Sequence, residues 1–135
     1  MGTTKEGGIR SFRDLNIWRD AISPVKIIYE ITKTLPNSEL YGLTSQIRRA
    51  AVSIPSNIAE GHIRAHTAEF KQFLFVSLGS LAELETQVII ADELGFIDNN
   101  AREDVVQKIE LLSKQIRSLI SKLNPNPNPP NPSKR

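Results

Sequence analysis

The strongest constraint on this chain is one run of side chains at alternating spacings of four and three: Phe70, Leu74, Ser77, Leu81, Leu84, Val88 and Ala91. That spacing keeps a single face of an α-helix apolar for about six turns. A strand cannot use it, because successive strand side chains point to opposite faces. A second stripe, Phe75, Leu78, Ala82 and Ile89, runs beside the first, and Phe73, Val76 and Ile90 fall on further positions. A helix apolar over so much of its circumference either sits centrally in a bundle or meets another subunit with one face. It is expected to start near Thr67, taken as its cap, and to run to Leu94 before the stop at Gly95.

Three more segments carry helical periodicity. The first is expected from about Asp14 to Leu35, with Asp14 or Ser11 capping it. Leu15, Trp18, Ile22, Val25, Tyr29 and Thr32 form one apolar stripe, and Ile17, Ala21, Ile28, Ile31 and Leu35 form another. Pro24 should bend this helix, and Leu35-Pro36 should end it. The second helix is expected from Leu43 to Ile63. Its apolar stripe is Ile47, Ala51, Ile54 and Ile58, beside a stripe of small groups, Ala50, Ser53, Asn57 and Gly61, that lets another helix approach closely. Pro55 should kink it without ending it, and Gly61 should loosen its C-terminal end. The last helix begins after Asp98-Asn99-Asn100, with Asn100 and Glu103 at capping-box spacing, and carries the stripe Val105, Ile109, Leu112, Ile116, Leu119 and Leu123. No stretch alternates with period two. Four amphipathic helices on short turns predict an all-α, antiparallel up-down-up-down four-helix bundle over residues 12–123. Residues 1–11 form a polar lead. Residues 124–135 form an Asn/Pro-rich tail whose repeated proline and lack of apolar groups predict disorder.

A chain of 135 residues and 15.1 kDa suits one such domain. The formal net charge of +2 permits nucleic-acid binding but does not by itself argue for it. The absence of cysteine excludes disulfides, thiolate nucleophiles and cysteine metal sites, and fits a cytoplasmic setting. Nothing resembles a signal peptide, Glu6 spoils a myristoylation pattern, and no apolar run approaches the roughly 18 residues of a membrane span.

The segment Tyr41–Gly61, with Phe12-Arg-Asp-Leu-Asn-Ile-Trp18 before it and Gly79-Ser-Leu-Ala-Glu-Leu-Glu85 after it, resembles a known family. These are the small four-helix-bundle proteins encoded by intervening sequences in bacterial 23S rRNA genes, to which the accessory protein of diversity-generating retroelements is similar. The resemblance runs from Phe12 to about Leu123. Pro24 and the Asn-Pro tail depart from the family pattern. The resemblance implies an all-α fold assembled as a ring-like homopentamer. It also implies, from the retroelement relative, contact with nucleic acid and a partner enzyme through a basic surface.

The candidate functional residues are basic. Arg48 and Arg49 are adjacent and leave a helix about 100° apart, so the two do different jobs. One reading is phosphate binding through the bidentate guanidinium, with Arg64, Lys71, Arg13 and Arg19 assisting. The other is structural ion pairing, with Glu83 and Glu85 as available acids. His62 and His66 have the i, i+4 spacing of a helical metal pair, but they fall at a helix-to-helix turn, where a solvated pair is the plainer reading. No Glu precedes a His by three residues as di-iron bundles require, Ser45, Ser53 and Ser56 lack a His–Asp partner, and no Gly-rich phosphate loop is present. Trp18 reads as packing. The expected function is therefore non-enzymatic and cofactor-free: a homo-oligomeric bundle binding structured RNA or DNA, or alternatively an oligomeric scaffold for a protein partner.

Overall fold

The structure, a computed structural model, describes residues 11–123; the predicted lead through residue 10 and the Asn/Pro tail lie outside the described residues. Among these residues there are four α-helices and no strand: α1 (Asn16–Ile31), α2 (Leu43–Ile63), α3 (Thr67–Glu93) and α4 (Asn99–Lys122). Each helix packs on two others, in the cyclic order α1, α2, α3, α4. The all-α up-down-up-down bundle is the observed architecture.

Every member of the opening α3 stripe is buried, and so are Ile47, Ala51, Ile54 and Ile58 of α2 and Val105, Ile109, Leu112 and Ile116 of α4. A fully buried Leu or Ile contributes about 1.5–3 kcal/mol of transfer free energy, so these stripes carry the fold. Of the two stripes on α1, the one through Ile17, Ala21 and Ile28 faces the core; Trp18, Ile22 and Val25 are half-buried at its flank, and Tyr29 is exposed. Trp18 packs edge-on against Phe12, with ring centroids 5.3 Å apart.

The closest pairing is α2 on α3. Gly61 is buried within α2, and a Cβ there would lie 2.6 Å from Cβ of Phe73. Its job is close approach rather than loosening a helix end. Further along the same seam, the hydroxyls of Ser53 and Ser80 are hydrogen-bonded at 2.7 Å, and the buried Ser77 hydroxyl donates to the Ile54 carbonyl. Pro24 and Pro55 are both buried, and both helices continue through them.

The helix ends correct several expectations. Ser11 and Asp14 form a capping box on a 3-10 turn, Phe12–Asp14; the extended Leu15 separates that turn from α1. α1 ends at Ile31 and passes into a second 3-10 turn before Leu35. Thr67 lies inside α3, whose first-turn cap position is His66 without a side-chain bond. α4 starts at Asn99 because Asp98, not Asn100, caps it, accepting from the Ala101 N–H at 2.7 Å. α2 ends in a left-handed residue, Ala65 (φ 63°), and α3 in Gly95 (φ 79°). At the α3 end the Phe96 N–H donates to the Ala91 carbonyl and that of Gly95 to Asp92, closing the helix with a paired Schellman turn.

The membrane-span expectation also changes. By length and composition alone α3 is long and apolar enough to cross a membrane. No uncharged run is that long, since Glu83 and Glu85 interrupt it; the apolar character arises because both the buried stripe and the outer face of the helix are apolar. In the fold the helix packs along its length against α2 and α4.

Candidate nucleic-acid interface

Arg48 is half-buried and engaged with the end of α1. Its Nε donates to the Thr32 hydroxyl at 2.9 Å, a terminal nitrogen approaches the Tyr29 carbonyl at 3.4 Å, and the guanidinium lies 4.6 Å from the centre of the Tyr29 ring. The Thr32 hydroxyl in turn donates to the Ile28 carbonyl at 2.6 Å. A cation at a helix C-terminus answers the carbonyls left without intrahelical partners, so Arg48 fastens α1 to α2. Arg49 points the other way. It is exposed and lines a polar groove between α2 and α3 with Gln46, Ser53, Asn57, Ser80 and Glu83. Among the described residues neither arginine pairs with an acid.

The other candidates lie elsewhere. Arg64 pairs with Glu60 at 2.9 Å and covers the Phe73 ring. Arg13 lies over Phe12, and Arg19 donates to Asn16 at 2.6 Å while lining the α1–α4 groove. Lys71 is half-buried in the second turn of α3. Arg49 lies in the second turn of α2 and Arg64 at its C-terminal cap, fifteen residues on and about 22 Å along the axis. The six residues therefore do not form one surface.

What the antiparallel topology does instead is sort charge along the bundle. One half holds the start of α1, the end of α2, the start of α3 and the end of α4 (residues 11–23, 54–79 and 111–123). It carries seven basic residues, Arg13, Arg19, Arg64, Lys71, Lys114, Arg117 and Lys122, against the four acids Asp14, Asp20, Glu60 and Glu69, a net +3. The other half, residues 24–53 and 80–110, carries six basic against ten acidic residues, a net −4. Arg13, Arg19, Arg64 and Lys71 belong to the basic half; Arg48 and Arg49 belong to the acidic one. Lys114, Arg117 and Lys122 had no motif to announce them. Their signal lies in the sum of charges over helix ends that the up-down order brings together.

His62 and His66 belong to different elements. His62 is in the last turn of α2, edge-on to Phe70, and His66 lies outside both helices. The chain turns between them at Ala65, so they do not share the helical face that their spacing would need for a metal. Among the described residues no group of three or more His, Asp or Glu side chains is arranged to hold one.

No curated protein matches the sequence. A crystal structure from Bacteroides thetaiotaomicron, a protein of unknown function from the S23 ribosomal protein family, superposes with a TM-score of 0.71. It covers 77% of this chain and 97% of its own at 22% identity, which establishes likeness of fold. The family model of the 23S rRNA-intervening sequence proteins matches residues 13–118, and over that span, with this bundle, the chain belongs to the 23S rRNA-intervening sequence protein family.

Proposed function

We propose that this protein is a non-enzymatic, self-associating cytoplasmic bundle that binds structured nucleic acid through its basic end. The observation that carries this is the sorting of charge, +3 in one half and −4 in the other. A phosphate backbone is drawn to the first and repelled by the second, which orients the bundle end-on. The described residues begin and end in the basic half, and the sequence outside them carries Lys5, Arg10, Lys134 and Arg135 against Glu6. The family resemblance implies a homopentameric ring; a ring with parallel axes gathers the basic ends on one rim. Arg49 stands outside this surface, and Arg48 is occupied by α1.

The test is RNA affinity across a salt series for wild type, for Arg64→Glu with Lys71→Glu, and for Arg49→Glu. Log affinity should fall linearly with log salt, and each phosphate that is no longer neutralised should lower the slope by about 1. The basic-end double variant should lose most binding at low salt while the Arg49 variant keeps it. Undiminished affinity in the double variant would refute the assignment. An RNA-independent protein partner recovered with wild type would favour the scaffold reading, for which the exposed outer face of α3 is the motive.

A further inference from the structure

We infer that the junction between the end of α1 and the start of α2 binds a single phosphate group, at a site separate from the basic end. A cavity of about 180 Å³ lies there. Lys33, Asn37, Thr44 and Arg48 line it, together with an apolar wall that includes Leu35 and Leu40. Ordinary small-molecule pockets enclose roughly 300–1,000 Å³, so this one suits a small ion or the head of a larger ligand. Its donors are incompletely used. Arg48 spends Nε on the Thr32 hydroxyl and one terminal nitrogen on the Tyr29 carbonyl at a long 3.4 Å; among the described residues the other terminal nitrogen has no partner. Lys33 supplies a second cation. Among the described residues it pairs only with Glu30, at 3.3 Å, and both side chains are exposed, a kind of pair that holds little.

Thr44 carries the independent signal. It is 4% exposed and lines the cavity, yet among the described residues its hydroxyl makes no hydrogen bond. Buried hydroxyls are ordinarily paired, as those of Thr32 and Ser77 are with carbonyls. Thr44 lies in the first turn of α2, so its hydroxyl is left to a ligand. The first-turn amides of α2 have no helical carbonyl ahead of them, and they add positive potential at the same place. Glu39, close by in sequence, is turned to the Leu43 N–H at 3.1 Å and does not line the cavity. Two cations, a hydroxyl, an amide and a helix N-terminus fit a tetrahedral oxyanion, and the guanidinium fork matches two of its oxygens. This half of the bundle is net −4, which repels a long polyanion while the adjacent cations still hold a single group. The ligand is therefore free phosphate or a small phosphate monoester. Bound there, it ties α1 to α2 beside Arg48, so occupancy stabilises the fold by linkage.

The test is the melting temperature of the full chain in inorganic phosphate against chloride, at matched pH and ionic strength, with calorimetric titration of phosphate for affinity. Phosphate should raise Tm where chloride does not. Methyl phosphate is the second arm: stabilisation by both ligands assigns the site to a phosphate head, and stabilisation by inorganic phosphate alone assigns it to the free ion. Lys33→Gln and Thr44→Val should each weaken phosphate binding by about tenfold, the loss of one charge-assisted contact. Lys33 is exposed, so its variant keeps the test decisive even if Thr44→Val fails to fold. The basic-end variant Arg64→Glu with Lys71→Glu should bind phosphate as wild type does. No stabilisation beyond that of chloride, undiminished binding in a folded cavity variant, or loss of binding in the basic-end variant would overturn the inference.

Discussion

Gly61 offers the sharpest test of the packing, because two effects of opposite sign meet there. Replacing a helical glycine with alanine gains up to about 1 kcal/mol of helix propensity, less here because Gly61 lies in the last turn of α2. Against this, the new Cβ would lie 2.6 Å from Cβ of Phe73 and 3.2 Å from Cδ1 of Phe70. No rotamer relieves the first of these clashes, since Cβ of Phe73 is fixed to its backbone; α3 must move away, at about 1–3 kcal/mol for overpacking. The clash wins, leaving Gly61→Ala destabilised by about 1–2 kcal/mol, a drop of roughly 4–10 °C in Tm for a domain of this size. Gly79→Ala is the control. It sits mid-helix with open space around it, so propensity acts alone and should stabilise the monomer by about 0.5–1 kcal/mol. Both should be measured by chemical denaturation at a concentration where light scattering reads a monomer. Equal or higher stability for Gly61→Ala would refute the close approach of α2 and α3.

Arg48→Ala should cost about 1–3 kcal/mol, from a charged hydrogen bond and a ring contact, and Arg48→Lys should recover only part because it cannot reproduce the Nε bond; denaturant midpoints report both. Asp98→Ala should cost about 1 kcal/mol while Asn100→Ala costs almost nothing, and equal effects would place the start of α4 wrongly. Ala65→Gly should stabilise by roughly 0.5–1 kcal/mol by relieving a left-handed alanine; a loss of stability would contradict the φ of 63°.

Residue patterns legible in the sequence were those that repeat along one helix. The stripe through Phe70 and Leu84 and the small stripe through Ser53 and Gly61 each read directly as a face, because 3.6-residue periodicity is a property of the local chain. Choosing between two stripes was not local. α1 offers Trp18-Ile22-Val25-Tyr29 and Ile17-Ala21-Ile28 as near equals, and only the position of α2 and α4 decides that the second turns inward. Helix ends failed for a related reason. Asp98 and Asn100 are both good caps two residues apart, and nothing in the sequence marks Ala65, rather than a glycine, as the left-handed residue. Arg48 and Arg49 could be separated by angle but not assigned, since the group that Arg48 answers, the end of α1, is sixteen or more residues away in the chain. The charge sorting is a sum over four helix ends and has no signature in any one of them.

The basic end and the self-association proposed above are not independent. A ring with parallel axes would bring the +3 halves together, and at physiological ionic strength charges within the Debye length of about 8 Å still repel. A polyanion lying across adjacent basic ends removes that repulsion, so it binds the assembly better than the single bundle. Linkage then requires assembly to strengthen nucleic-acid binding by the same factor that nucleic acid strengthens assembly. Several basic ends on one strand add avidity beyond that of any single end. Light scattering across a dilution series should therefore show assembly at a lower protein concentration when RNA is added, and RNA affinity should rise where the bundle assembles. If RNA leaves the assembly concentration unchanged, assembly and binding are uncoupled, and the basic ends do not share one strand.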